Sequence, residues 1–182
     1  KSDKKLKPIL FFSNDSNRLI IADTIAKYYA LNISSGEIIW SKSNKSPFNS
    51  QIKIFKNKFY VVDDQNVLRC FSVKDGMQIW KFVTEKPFIR SQKKISLVIK
   101  DNKIIFNNTL GDISAVNLET GELMWQTPTQ ASLIYEDAMF LKVSEIIVAN
   151  NSILFSNNQN EFFSLDADTG IINWKQKINS NL

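Results

Sequence analysis

Histidine is absent from this 182-residue chain, and cysteine occurs once, at Cys70. The first absence removes the commonest general base and the commonest metal ligand together. No Ser-His-Asp or Cys-His set can be assembled without it. The lone thiol excludes an internal disulfide and leaves the redox compartment unmarked. No apolar run approaches the roughly 18 residues that a membrane-spanning helix needs. No signal peptide is visible, and the chain begins at Lys1 rather than Met, so we expect a preceding segment to have been removed.

Proline is scarce at four residues, and alanine is sparse, while phenylalanine reaches thirteen and Ile and Val are frequent. That balance suits strands better than helices. With 43% hydrophobic residues, the chain can bury one sizeable core. Its formal charge of +5 is spread through Lys, Asn and Ser along the whole length. The aromatics fall at repeat positions instead of interleaving with a basic patch, so nucleic-acid binding is not expected.

The scarce residues are also the ordered ones. All four tryptophans and four of the five glycines belong to an eleven-residue pattern that occurs four times. The copies are Ala30 to Trp40, Cys70 to Trp80, Ala115 to Trp125 and Ser164 to Trp174. Each opens on a small residue, carries a glycine (Gly36, Gly76, Gly121, Gly170), and ends on tryptophan four positions later. Cys70 occupies the small-residue slot, which favours a buried structural thiol over a reactive one.

Counting back 23 residues from each tryptophan gives Asn17, Asn57, Asn102 and Asn151. Asn tolerates the left-handed conformation of tight hairpins, so a turn is predicted there, followed by a strand such as Lys58-Phe59-Tyr60-Val61. Asp23, Asp63, Asn108 and Asn157 lie 17 before Trp, and Ala26, Asn66, Gly111 and Asn160 lie 14 before it, marking a second hairpin. Ala26 departs from the turn chemistry of its counterparts. The glycines mark a third turn. Each repeat therefore holds four short strands, about 50–56, 58–63, 67–73 and 77–83 in the second.

The Trp-to-Trp spacings are 40, 45 and 49, yet the Asn-to-Trp interval never changes. Length variation is thus confined to connectors, about 43–49, 84–92 and 128–141. Four-stranded units at this spacing describe the blades of a β-propeller. The expected fold is all-β: one partial propeller over 1–182, with four-stranded antiparallel blades at about 7–43, 49–84, 93–128 and 142–178. A helical solenoid is excluded by β-type segments too short for helices; only Ala131 to Phe140 could hide a helical turn.

Ala115-Val116-Asn117-Leu118-Glu119-Thr120-Gly121 and Ser164-Leu165-Asp166-Ala167-Asp168-Thr169-Gly170 resemble the quinoprotein-type propeller repeat, Ala-x-Asp-x-x-Thr-Gly-x-x-x-Trp. The resemblance covers essentially the whole chain. It implies that Trp40, Trp80, Trp125 and Trp174 dock neighbouring blades. It also implies a ring of six to eight blades, of which four are present here. Both quinone-dependent dehydrogenases and non-catalytic scaffolds use this repeat. The dehydrogenases hold their quinone near an adjacent Cys–Cys pair and a calcium ion. This sequence has no such pair and no acidic cluster for calcium; Asp63-Asp64 falls in a hairpin turn. No catalytic residue, cofactor or metal site is therefore assigned.

Among scaffolds with this repeat, the chain is similar to the outer-membrane assembly lipoproteins called BamB. That resemblance implies a periplasmic location, possible outer-membrane association, and protein partners that include the barrel-assembly insertase. Alternatives are a dehydrogenase fragment or a sensor ectodomain. The candidate partner-binding residues are Phe88, Ile89, Arg90 and Tyr135, because apolar, Arg and Tyr side chains in long connectors have the composition of interface hot spots. Pro47-Phe48 and Pro87-Phe88 recur at the same register, which favours packing beneath the loop. Four blades alone would leave two apolar faces in water, so half of an eight-bladed ring is expected, the other half being absent from this sequence, supplied by a second copy through self-association of the open edges, or replaced by lattice contacts.

Overall fold

A computed structural model of the chain describes residues 7–86, 94–129, 144–157 and 161–178. Every described element is a strand, and the sixteen strands form four separate sheets of four. The first holds β1 (Leu10–Asn14), β2 (Arg18–Asp23), β3 (Lys27–Asn32) and β4 (Ile38–Ser43). The second holds β5 (Lys53–Phe55), β6 (Lys58–Val62), β7 (Val67–Ser72) and β8 (Gln78–Val83). The third holds β9 (Leu97–Lys100), β10 (Lys103–Asn107), β11 (Asp112–Asn117) and β12 (Leu123–Pro128). The fourth holds β13 (Ile147–Ala149), β14 (Ser152–Ser156), β15 (Glu161–Asp166) and β16 (Ile172–Lys177).

Each sheet is antiparallel, with strands in sequence order. These are the blades of a β-propeller. The opening strands β1, β5, β9 and β13 are the ones that approach one another from blade to blade, so they sit nearest the axis.

Turn chemistry explains the register. In the second hairpin of the first three blades a side-chain oxygen gathers the turn's backbone donors. Asp23 Oδ1 accepts from the amides of Ile25 and Lys27 at 3.0 and 2.8 Å. Asp63 Oδ1 does so for Gln65 and Val67, and Asn108 Oδ1 for Leu110 and Asp112. Ala26 closes its turn at φ 68°, as Asn66 does at 59° and Gly111 at 92°. The hairpin of the first blade is therefore made despite the unfavourable residue; Asp23 holds the turn that alanine would not choose.

The first hairpin differs from expectation in one respect. Among Asn17, Asn57, Asn102 and Asn151, only Asn57 has positive φ; in the third and fourth blades the preceding residues Asp101 and Asn150 take that conformation. The asparagines share a different task. Their carbonyls accept from Ile33, Val73, Leu118 and Ala167 at 2.9–3.2 Å, tying the first turn of each blade to its third.

Three apolar cores lie between adjacent blades rather than within any one. The first is the most aromatic. Tyr28 lies edge-on to Trp40 and Phe48, each at 5.7 Å between centroids, and Phe59 stacks on Phe71 at 5.0 Å. Phe48 is fully buried, consistent with packing of the Pro-Phe connector beneath its loop. Pro87-Phe88 and the segment Ala131 to Phe140 lie outside the described residues.

Candidate functional site

The repeat motif builds one joint three times. Within each blade the small residue pairs directly across from the tryptophan: Ala30 with Trp40, Cys70 with Trp80, Ala115 with Trp125, and Ser164 with Trp174. A bulge follows in every case, which bends the outer strand and increases its twist. The indole then reaches the next blade. Trp40 Nε1 donates to the Val73 carbonyl at 3.1 Å, and Trp125 Nε1 to that of Ala167 at 3.2 Å.

The glycines receive these rings. A Cβ at Gly76 would stand 2.9 Å from Trp40, one at Gly121 2.7 Å from Trp80, and one at Gly170 2.5 Å from Trp125. Their positive φ values also require glycine. Gly36, in the first blade, has nothing within 4 Å of that position.

Trp80 departs from the pattern. Its buried Nε1 has no hydrogen-bond partner among the described residues. The carbonyl in the corresponding place, Leu118, instead accepts from the Tyr60 hydroxyl at 3.2 Å. Burial raises the pKa of that phenol above its ordinary value, as it does for Tyr28. Cys70 lies in the same core, and burial pushes its thiol up to about 12. A thiol so displaced carries almost no thiolate near neutrality and is inert.

Charges cross the same joints. Lys103, almost wholly buried, pairs with Asp168 of the next blade at 2.6 Å. Lys58 pairs likewise with Glu119. The lysines hold both carboxyls below their usual range, chiefly through the hydrogen bonds they donate. In the first joint the acid's position is taken by Lys74, and Arg18 donates to the Val73 carbonyl at 3.2 Å instead. Sequence reasoning missed these pairs; the signal was a basic residue following Asn17, Asn57 and Asn102. It also read Asp63 as an ordinary turn residue. The side chain is fully buried and pairs with Arg69 at 2.8 Å.

The face toward the axis carries an open groove of mixed polarity, where Ile54, Phe55, Val98, Ile99 and Val148 are joined by Lys53 and Asp101. No group of three or more His, Cys, Asp or Glu side chains suited to a metal occurs among the described residues. No described helix is long and apolar enough to cross a membrane. Phe88, Ile89, Arg90 and Tyr135 lie outside the described residues.

A family model described as outer membrane protein assembly factor BamB matches residues 2–182. The chain belongs to that family. No curated protein matches its sequence. Among solved structures it is similar to BamB from Moraxella catarrhalis, with TM-score 0.79 at 16% identity over 94% of this chain and 53% of that one. The computationally designed protein Ika8 matches with TM-score 0.71 at 12% identity, over 91% of this chain and 48% of its own. Quinohemoprotein alcohol dehydrogenase from Comamonas testosteroni matches with TM-score 0.71 at 14% identity, over 92% of this chain and 34% of its own. These likenesses show the fold. The chain spans about half the length of the first two and about a third of the last.

Proposed function

We propose that the chain is a non-catalytic propeller scaffold that binds other proteins during assembly of outer-membrane β-barrels. On this reading it works in the periplasm, associated with the outer membrane. The match to the BamB family model across residues 2–182 carries the reading. The composition supports it: a chain without histidine, whose only thiol is buried and protonated, has few means of general base or nucleophilic chemistry.

The partner we propose is the insertase of the barrel-assembly machinery. Its contacts would come from the long connectors, with Phe88, Ile89, Arg90 and Tyr135 as the side chains to test. The experiment is binding of the purified chain to the insertase's periplasmic domains by calorimetry. Saturable binding supports the scaffold. Absence of binding, together with normal folding by circular dichroism, would remove it.

A second reading, part of a quinone-dependent dehydrogenase, is favoured by the likeness to the quinohemoprotein. The residues present do not suit it, because Cys70 has no neighbouring cysteine and faces the core between the second and third blades. Uptake of a pyrroloquinoline quinone with calcium, seen as a visible absorption band, would revive it.

A further inference from the structure

The last strand of every blade is an edge: β4, β8, β12 and β16 each pair with one neighbour in their sheet. Such an edge presents unpaired N–H and C=O groups, and lysine along it discourages other chains from pairing there. Lys42 stands on β4, Lys81 on β8, and Lys175 and Lys177 on β16. On β12 the same positions hold Gln126, Thr127 and Pro128. The bulge beside the tryptophan is common to all four blades, so lysine is what β12 lacks. Pro128 blunts only the final position.

The contrast extends to the whole outer hairpin. From Asp112 to Pro128 the third blade holds Asp112, Glu119 and Glu122, and neither lysine nor arginine. The corresponding hairpins of the other blades all carry basic residues, in a chain of net charge +5. Glu119 is paired with Lys58. Asp112, however, accepts from Gln126 at 2.9 Å and Asn108 at 3.2 Å, and Glu122 from Thr120 at 3.1 Å. These donors are neutral and leave both carboxylate charges uncompensated.

Apolar surface adjoins the acids. Leu123 and Met124, on β12 itself, are 47% and 48% exposed. Thr127 donates to the Gly170 carbonyl at 2.6 Å, which sets Ile171, 66% exposed, beside the strand. The third blade has a sheet on either side, so the exposure of Leu123 and Met124 belongs to their position. The same holds for Ile171, because its counterpart Met77 is 58% exposed in the second blade, between two neighbours.

We propose that β12 is a docking edge for an extended segment of a partner protein in which basic and apolar residues alternate. The segment joins the third blade as a fifth strand, its backbone pairing with β12. The alternation follows from the pleat. Side chains on one face of the added strand meet Asp112 and Gln126, and those on the other meet Thr127 and Ile171. Charge complementarity selects the occupant, since an acidic strand would be repelled by Asp112 and Glu122. The edge is independent of the barrel-assembly reading, because it rests on strand pairing and charge within one blade.

The test is titration of the 182-residue chain into a fluorescently labelled peptide of about eight residues that alternates valine with lysine. Anisotropy should show saturable binding with a Kd below about 1 mM. Gln126→Lys gives β12 the guard that its counterparts carry, at an exposed position beside Asp112. It should weaken binding at least about tenfold and leave the circular dichroism unchanged. Met124→Lys is an independent check on the same strand. N-methylation of alternate peptide amides should weaken binding equally, because it removes donors of the new ladder. No saturation by the valine–lysine peptide would overturn the proposal. So would binding indifferent to both lysine substitutions, equal binding of a valine–glutamate peptide, or equal binding after N-methylation.

Discussion

The Trp125 indole lies so close to Gly170 that a Cβ there would stand 2.5 Å from the ring, and the same indole donates to the carbonyl of Ala167, three residues before that glycine. One tryptophan therefore reads both the conformation and the bareness of the neighbouring turn. Trp125 is the most buried of the four indoles.

Trp125→Ala should destabilise the fold by about 3–5 kcal/mol, the usual cost of deleting a large buried aromatic. Chemical denaturation measures it. A midpoint unchanged from wild type would show that the indole fills no structural role.

Gly121→Ala and Gly36→Ala separate backbone strain from ring contact. Both glycines have positive φ, at 79° and 74°, so each substitution carries roughly 1–2 kcal/mol of left-handed strain. Only Gly121 lies under an indole, that of Trp80. Gly121→Ala should therefore cost distinctly more than Gly36→Ala. Equal losses in thermal unfolding would contradict the docking geometry.

Tyr60→Phe should be nearly neutral, within about 1 kcal/mol. It removes the hydroxyl that occupies the Leu118 carbonyl and leaves that acceptor to the unpartnered Trp80 indole. A loss well beyond that would mean Trp80 cannot make the bond its counterparts make.

Asp168 carries a pH signature. Lys103 lowers its folded pKa below the ordinary value of 3.8. Its contribution is therefore complete above that value and disappears as pH falls through the lowered folded pKa. Asp168→Asn should be less stable than wild type near neutrality, and the two should converge in strong acid. A difference independent of pH would assign the effect to packing.

Cys70 should resist alkylation in the native protein at pH 8, because its thiol is buried and its pKa is pushed up to about 12. Labelling should appear only as denaturant unfolds the chain. Prompt labelling in buffer would show that the second joint opens on its own.

The tryptophan register made the blades legible, because a rare residue at fixed distance from a turn can only be read one way. The small slot at Ala30, Cys70, Ala115 and Ser164 was visible too, but its reason was not: each lies directly across from its tryptophan. Two features are not legible in the spacing, each for its own physical reason. Spacing shows where a turn falls, not which of its residues takes positive φ, so Asp101 and Asn150 were hidden behind the more conspicuous asparagines. Pairing between blades depends on which face a side chain occupies, so the basic residue after Asn102 does not by itself reveal that Lys103 meets Asp168, 65 residues away. The candidate partner residues were read from connector composition alone, which carries no geometry.

Every joint uses one kind of forward edge and one kind of rear edge, and the two are unlike. Two forward edges would set indole against indole, and two rear edges would leave every glycine turn empty. A blade can thus be copied or deleted without inventing new recognition, since each addition restores the same pair of edges at the ends. The number of blades in such an assembly is a matter of curvature, and it can change by duplication while the chemistry of contact stays constant.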